Sequence, residues 1–163
     1  MLDATETINA HRRRVNCLEF VKDGYLATGS SDQTIKIWNT GEVRTIAVLK
    51  GSKQPVNSLL CLSPLTMISG SDGVYAWDIE TQKPIFVYEE HTAAINSLCM
   101  YEFSTFISAS SDTSMKIWDL RTKRSTQTLR SHKLPINSVT QANENSILSG
   151  GDDGLVKRWD IRT

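Results

Sequence analysis

All the tryptophans of this chain stand at nearly equal intervals along its 163 residues. The intervals are 39, 41 and 41 residues, and they separate Trp38, Trp77, Trp118 and Trp159. A second series keeps the same step: VNCL at 15–18, VNSL at 56–59, INSL at 95–98 and INSV at 136–139. Self-similarity at a fixed period of this size is typical of repeat architectures. The sequence therefore predicts four copies of one structural unit.

Each unit has the pattern of short strands joined by turns. In the first unit, apolar or alternating segments at 15–20, 25–29, 34–38 and 44–49 are separated by polar, glycine-containing turns. Closely spaced short strands of this kind predict an antiparallel all-β protein, and no long stretch has helical periodicity. Four strands in a unit of about 40 residues are typical of a propeller blade. We therefore expect a β-propeller with four blades of four antiparallel strands in this chain.

Two further motifs resemble those of a known family, the WD-repeat β-propellers. A Trp-Asp pair stands at 77–78, 118–119 and 159–160, and Trp38-Asn39 is close to it. The histidines His11, His91 and His132 each stand 27 residues before a tryptophan, although the glycine that precedes this histidine in the family is absent. The likeness runs from about Ile8 to Asp160 and implies blade units at approximately 9–49, 50–88, 89–129 and 130–163. Residues 2–8 are expected to supply a fourth strand for ring closure.

Three of the units carry a fixed set of four polar or aromatic residues. The sets are His11, Thr28, Asp32 and Trp38; His91, Ser108, Asp112 and Trp118; and His132, Ser149, Asp153 and Trp159. A buried indole N–H needs an acceptor, which a hydroxyl on the neighbouring strand can provide while donating to an imidazole that a carboxylate orients. The resemblance implies the same structural tetrad. Three identical copies favour architecture over a Ser-His-Asp catalytic site, which needs one asymmetric arrangement, so we expect no enzyme.

Unit two departs from this pattern. Ser52 stands where the other units have histidine, and Trp77 follows Ser69 by only 8 positions, where the interval in the other units is 10. Loss of an even number of residues keeps each side chain on its face of the sheet. We predict a shorter second hairpin at 71–73, an incomplete tetrad and the least stable of the four blades.

The number of blades in the functional ring has three possible answers. Seven blades are common in this family, and this chain has four units. The alternatives are a piece of a longer protein, a half-ring that pairs with a second copy, and a closed four-blade ring. In the first two, an uncovered blade face would require a partner.

Composition excludes several classes of function. Equal numbers of basic and acidic residues, 18 each, disfavour direct nucleic-acid binding, which rests on positive charge. No apolar run is long enough to span a membrane. Cys17, Cys61 and Cys99 form no CxxC pair, which indicates core or near-core thiols in a reducing compartment. We expect a cytoplasmic or nuclear protein with no cofactor and no metal.

The resemblance implies a non-enzymatic scaffold that binds partner proteins or peptides on the propeller faces. The loops at the histidine position of units one, two and four carry Arg12, Arg13, Arg14, Lys53 and Lys133. Because arginine pairs bidentately with carboxylate and phosphate, this rim predicts an acidic or phosphorylated peptide ligand.

Two alternative functions stay open. The stretch 106–121 and the Trp-Asp-x-Arg sequences ending at Arg121 and Arg162 resemble the motif by which WD-repeat substrate receptors dock on a cullin–RING ubiquitin ligase adaptor. Arg158 stands where that motif is apolar. The other alternative is a scaffold subunit of an RNA-processing or chromatin complex. A hydrolase would need an acid, base or metal cluster, and no histidine is left for it.

Overall fold

The computed structural model describes residues 7–22, 24–102 and 104–162. Within these residues the chain forms fifteen strands in four antiparallel sheets, and each sheet is a meander of consecutive strands. Sheet 1 contains β1 (Val15–Lys22), β2 (Tyr25–Ser30), β3 (Thr34–Asn39) and β4 (Arg44–Lys50). Sheet 2 contains β5 (Ser58–Ser63), β6 (Thr66–Gly70), β7 (Val74–Asp78) and β8 (Lys83–Tyr88). Sheet 3 contains β9 (Ile95–Glu102), β10 (Thr105–Ser110), β11 (Ser114–Asp119) and β12 (Arg124–Arg130). Sheet 4 contains β13 (Ile136–Asn143), β14 (Ser146–Gly151) and β15 (Val156–Asp160).

The predicted all-β architecture is confirmed, with one difference in strand number. Among the described residues, sheet 4 has three strands where the prediction had four. The strand expected at 2–8 lies mostly outside the described residues, and its last two positions, Thr7 and Ile8, have no strand conformation. None of the described residues forms a helix that is long and apolar enough to cross a membrane.

Consecutive sheets pack face to face, and each pair encloses one apolar cluster. Because strand side chains alternate between faces, one side of sheet 1 presents Ile35 and Ile37 to Met67 and Trp77 of sheet 2. The opposite face of sheet 2 packs in the same way on Phe106 and Trp118 of sheet 3, and sheet 3 packs on sheet 4. The core is therefore a series of layers between sheets, and each inner sheet is covered on both sides.

The four sheets form an arc that is not closed into a ring. The main contacts between sheets join each sheet to the next one along the chain. The outer face of sheet 1 exposes Leu18 and Phe20 at 63% and 74%, and the outer face of sheet 4 exposes Val156 at 77%. The closed four-blade ring therefore does not occur in this structure, because sheet 4 does not cover sheet 1.

Side chains, rather than backbone ladders, connect the first strands of neighbouring sheets. The asparagine of each recurring string donates its amide to a carbonyl of the next sheet: Asn16 to Val56, Asn57 to Ile95 and Asn96 to Ile136, at 2.8 to 3.2 Å. The serine that follows accepts a backbone N–H from the next sheet in two cases, Ser58 from Leu98 and Ser97 from Val139. These bonds fix the angle and height of each sheet relative to its neighbour.

Replacing Asn96 by alanine tests this role. The Asn96 amide donates to the Ile136 carbonyl at 2.8 Å and to the Ser111 hydroxyl at 2.9 Å, so we expect Asn96→Ala to lower the free energy of unfolding by about 1–2 kcal/mol. Urea unfolding followed by tryptophan fluorescence measures the loss. The matched control is Asn137→Ala, whose exposed amide donates to Asp152 within its own sheet and which we expect to cost about 0.5 kcal/mol or less. Equal losses in both variants would contradict the bridging role.

Candidate functional site

The loops that carry the regularly spaced histidines and aspartates meet at one edge of the sheets, which is called here the top face. It consists of the loops before each first strand, at 11–14, 51–57, 91–94 and 132–135, and the second hairpins at 31–33, 71–73, 111–113 and 152–155. Backbone N–H groups of the hairpins donate to carbonyls of the preceding loops, from Ser31 to Arg14 and from Ser111 to Ala94. Each sheet therefore presents its two loops as one connected surface.

Sheet 3 holds a complete chain of hydrogen bonds beneath this surface. The Trp118 indole N–H donates to the Ser108 hydroxyl at 2.8 Å, Ser108 Oγ lies 2.7 Å from His91 Nε2, and His91 Nδ1 lies 2.6 Å from the Asp112 carboxylate. An indole can only donate, so the Ser108 hydroxyl is free to donate its own proton to His91 Nε2. That leaves the imidazole proton on Nδ1, where it donates to Asp112. The relay runs in one direction, from tryptophan to aspartate.

The structure brings the other two predicted sets together in the same order. In sheet 1, Trp38 Nε1 lies 2.9 Å and His11 Nε2 lies 2.7 Å from Thr28 Oγ1, and His11 Nδ1 lies 3.0 Å from Asp32. The corresponding distances in sheet 4, among Trp159, Ser149, His132 and Asp153, are 2.8, 2.7 and 2.9 Å. All four members of each set come from three separate chain segments: the first loop, the second strand with its hairpin, and the third strand.

The aspartates of these relays are ionised anchors for backbone N–H groups as well as for histidine. Burial alone would raise the pKa of Asp112, but bonds from the Ser114 hydroxyl, the His91 imidazole and the Thr92 N–H outweigh it and lower the pKa to about 2. Burial lowers the pKa of His91, against the opposing effect of Asp112, so the imidazole is neutral at pH 7. Equivalent bonds join Asp32 to the Arg12 N–H and Asp153 to the Lys133 N–H.

The serine hydroxyl groups of the relay are buried and fully hydrogen-bonded. Ser108 and Ser149 are 0% and 2% exposed, and both oxygens are engaged by an indole and an imidazole. Among the described residues, no group of three histidine, cysteine, aspartate or glutamate side chains lies where it could hold a metal ion. The hydrogen bonds of these sets join the loops of the top face to the strands beneath them.

Sheet 2 replaces the missing imidazole with a tyrosine. Trp77 Nε1 donates to Ser69 at 2.8 Å, but Ser52, in the histidine position, is buried and its hydroxyl has no partner among the described residues. The Tyr75 ring stacks on Trp77 with centroids 5.7 Å apart, and its hydroxyl donates to Asp72 at 3.0 Å. Burial, reinforced by Asp72, raises the pKa of Tyr75 to about 12. The tyrosine hydroxyl thus takes over the carboxylate contact that the imidazole makes elsewhere.

A lysine two residues before tryptophan is a fourth feature of the site that the sequence reasoning missed. It occurs as Lys36, Lys116 and Lys157, and Tyr75 has the same strand register. Lys36 donates to the Ala10 carbonyl at 2.6 Å, and Lys157 donates to the Ser131 carbonyl at 2.5 Å. Each lysine thereby holds the residue that precedes the relay histidine. The lysine could have been found from the sequence, because it stands two residues before the tryptophan in three of the four units.

The predicted basic residues divide into a cluster and two separate positions. Arg12, Arg13 and Arg14 are exposed, and no carboxylate of the described residues lies within ion-pair distance of their guanidinium groups. Lys53 pairs with Glu89 at 3.5 Å, and Lys133 lies exposed in the loop before sheet 4. Of the five predicted basic residues, the three arginines thus form one cluster at sheet 1 that has no ion-pair partner among the described residues.

The two arginines of the Trp-Asp-x-Arg sequences lie on the opposite edge of the sheets, after β11 and β15. Arg121 donates to both carboxylate oxygens of Asp119, through Nε at 3.0 Å and Nη2 at 2.6 Å. The Arg162 guanidinium donates to both carboxylate oxygens of Asp160 in the same way. The side chains of Arg121 and Arg162 remain 75% and 69% exposed, so neighbouring sheets present the same guanidinium–carboxylate pair.

Three segments of the chain, residues 3–39, 82–119 and 123–160, match the family model of the WD domain, G-beta repeat. They cover more than half of the chain, which therefore belongs to the WD-repeat family, as the sequence motifs predicted. The interval 40–81 between the first two segments contains Ser52 and the short hairpin. A solved structure of the WD40 beta-propeller domain of Doa1 superimposes with a TM-score of 0.87 over 94% of this chain and 53% of that chain, at 23% identity. That likeness shows the fold.

Curated relatives are similar over parts of the chain. Nuclear distribution protein PAC1 of Komagataella phaffii is 28% identical over 130 residues, covering 67% of this chain and 26% of that protein. Pre-mRNA-processing factor 19 of Oryza sativa is 25% identical over 162 residues, covering 68% and 31%. The guanine nucleotide-binding protein subunit beta of Schizosaccharomyces pombe is 41% identical over 49 residues, covering 30% and 16%. The chain spans less than a third of the length of these relatives. WD-repeat propellers are generally non-enzymatic protein-interaction scaffolds.

A pair of serine substitutions tests the difference between sheets 2 and 3. Ser52→Ala removes a buried hydroxyl that has no partner, so we expect unchanged stability or a gain of up to about 1 kcal/mol. Ser108→Ala leaves the Trp118 indole and the His91 imidazole without their shared partner, so we expect a loss of about 2 kcal/mol or more. Urea unfolding measures both. A Ser52→Ala variant as unstable as Ser108→Ala would show that sheet 2 contains a relay through Ser52.

Proposed function

We propose that this chain is a non-enzymatic scaffold that binds acidic or phosphorylated segments of partner proteins at the top face of sheet 1. The observation that carries the proposal is the unpaired arginine run on a fixed backbone. The Arg12 N–H donates to Asp32 at 3.0 Å, and the Arg14 carbonyl accepts the Ser31 N–H at 2.9 Å. Because the backbone of the run is held, little conformational freedom is lost when the side chains meet a ligand.

Two clefts beside Arg12 support an anionic ligand. One has a volume of about 310 Å³ and is lined by Arg12, Lys36, Lys50 and Asp32, and the other has a similar volume and adds Arg13. The only carboxylate in these linings belongs to Asp32, which already accepts bonds from His11, the Arg12 N–H and Thr34. The clefts therefore place cations that have no carboxylate partner among the described residues around one carboxylate whose acceptor positions are already occupied, and guanidinium groups are well suited to bind carboxylate or phosphate.

The Cys17, Cys61 and Cys99 side chains support a reducing compartment. All three are free thiols, and burial raises the pKa of Cys17 to about 12, so its thiolate is scarce at neutral pH. Free thiols persist in the cytosol and nucleus. We therefore assign the scaffold to one of those two compartments.

Charge reversal tests the arginine site. A fluorescein-labelled hexaglutamate peptide serves as probe, and fluorescence anisotropy at about 150 mM salt measures its affinity. We expect the double variant Arg12→Glu/Arg13→Glu to weaken binding by at least about tenfold. The fold is retained because the bonds of this loop to Asp32 and Ser30 come from backbone atoms.

The control for this experiment is the double variant Arg124→Glu/Arg130→Glu, which changes net charge by the same amount at exposed positions of β12. We expect less than a twofold effect from it at about 150 mM salt, where separated charges are screened. Equal weakening by both double variants would mean that the peptide senses net charge only, and the site at sheet 1 would be rejected.

A second candidate function is docking on a cullin–RING ubiquitin ligase adaptor. It is favoured by the matching bidentate ion pairs of Arg121 with Asp119 and of Arg162 with Asp160 in neighbouring sheets. Each guanidinium is held in place by the neighbouring aspartate and is exposed, so a hydrogen-bond acceptor of a partner protein can reach it. The exposed Arg158 on the outer face of sheet 4 is the one departure from the motif.

The docking hypothesis predicts that Arg121→Ala/Arg162→Ala abolishes adaptor binding in a pull-down with purified adaptor. Arg124→Ala is the matched control, because Arg124 is an exposed arginine near Arg121 in the chain that binds no described aspartate. Adaptor binding that survives the double substitution would remove this function. The hexaglutamate affinity of the same variant should be unchanged, which separates this edge from the top face.

A further inference from the structure

A notch opens at the top face between sheets 2 and 3, away from the arginine run. Its volume is about 410 Å³, and it is lined by the loops before β5 and β9 and by the hairpin between β6 and β7. Pro55, Ala93 and Ala94 supply apolar walls, and Gln54, Asn57 and Asp72 supply polar groups. The relay residue His91 and its neighbour Thr92 complete the lining.

The notch lies where the second hairpin of sheet 2 is shortened. Three residues lie between the last paired positions Gly70 and Val74, whereas five lie between Gly29 and Ile35 in sheet 1 and between Ala109 and Met115 in sheet 3. The longer hairpins carry Gln33 and Thr113, with φ of 69° and 70°, and sheet 2 has no counterpart of these residues. Because the hairpin of sheet 2 is two residues shorter, it projects less far at the top face and leaves the notch open.

The carboxylate of Asp72 differs from the other three hairpin aspartates in its bonding. Asp112 accepts from His91, from the Thr92 N–H and from both the N–H and the hydroxyl of Ser114. Asp32 has the same four kinds of bond. Among the described residues, Asp72 accepts one hydrogen bond, from the Tyr75 hydroxyl to Oδ1. Loss of the histidine and shortening of the hairpin thus leave most of the acceptor capacity of Asp72 unused.

In the part of the chain that the structure describes, no lysine or arginine forms an ion pair with Asp72. The lining of the notch has no lysine or arginine, and burial keeps His91 neutral by lowering its pKa. The nearby Lys53 is paired with Glu89. The notch is therefore an acidic recess with apolar walls and two side-chain amides, and its field favours a positive ligand.

We propose that this notch binds a lysine or arginine side chain of a partner protein. The cationic head pairs with Asp72 and donates to the carbonyl oxygens of the Gln54 and Asn57 side chains, while the aliphatic stem packs on Pro55, Ala93 and Ala94. A long cationic side chain needs this combination of a polar end and apolar walls. The inference rests on the proposed scaffold function but concerns a second site of opposite charge on the same face. The top face would then recognise a partner segment that carries acidic and basic residues in a fixed order.

Nuclear magnetic resonance with short peptides tests the notch directly. The probes are acetylated, amidated pentapeptides with a central arginine or lysine between alanines and glycines, and the matched control peptide has citrulline, the neutral isostere of arginine. We expect the cationic peptides to cause saturable shifts of the Asp72, Ala93 and Ala94 amide resonances. The citrulline peptide should cause none at the same concentrations. Equal shifts with citrulline would overturn the proposal.

Two substitutions complete the test. Asp72→Asn keeps an oxygen for the Tyr75 hydroxyl and removes the charge, and we expect it to weaken the cationic peptides about tenfold. Asp152→Asn removes an exposed top-face carboxylate in sheet 4 and should leave their affinity unchanged. An Asp72→Asn variant that binds normally, or an equal loss in Asp152→Asn, would reject the site. Because Asp72→Asn should not weaken hexaglutamate and Arg12→Glu/Arg13→Glu should not weaken the arginine peptide, failure of one site is distinguishable from failure of the other.

Discussion

The tryptophan indole N–H of each unit is the constraint that organises this structure. In sheets 2 and 3, which are covered on both faces, the indole is buried away from water, so a hydroxyl on the adjacent strand must accept its proton, and the same bond forms at Trp38 and Trp159 in the outer sheets. In sheets 1, 3 and 4 the hydroxyl then directs its own proton to a histidine, and the histidine directs its proton to an aspartate that also holds a loop N–H. One buried donor in the third strand thus determines the chemistry of the second strand, the second hairpin and the first loop. The top face is rigid because its loops are the end of this chain of bonds.

Most of this arrangement could be predicted from residue spacing. The four segments expected at 15–20, 25–29, 34–38 and 44–49 in the first unit agree with β1 to β4 within two residues, because alternation and turn residues act locally. The tetrad members could be identified because all of them repeat in register. The asparagine bridges from Asn16, Asn57 and Asn96 were visible as repeated letters but not as bonds, since their acceptors lie about one whole unit further along the chain.

Sheet 2 marks the boundary of what spacing predicts. An absent histidine and a hairpin two residues shorter were evident in the sequence, and both led to the expectation of an incomplete tetrad. The substitute could not be foreseen, because Tyr75 reaches Asp72 only when Ser69 and Tyr75 are paired in register. In the other sheets that register position holds a lysine that binds the residue before the histidine, through its backbone carbonyl in sheets 1 and 4 and through the Glu90 carboxylate in sheet 3. Tyr75 therefore occupies the lysine position, stacks on Trp77 and supplies the aspartate contact that the imidazole makes elsewhere.

The two proposed sites follow from the relay in opposite ways. At sheet 1 the relay is complete, so Asp32 is saturated by its own loop, and no carboxylate among the described residues pairs with the guanidinium groups of Arg12 to Arg14. At sheet 2 the relay lacks its histidine, and among the described residues no loop N–H donates to the Asp72 carboxylate, which accepts one bond from Tyr75. A repeat that is identical in every sheet would present one kind of charge around the whole face. The departure of unit two from the repeat supplies the opposite charge, and this is the physical basis on which the face could distinguish one partner segment from another.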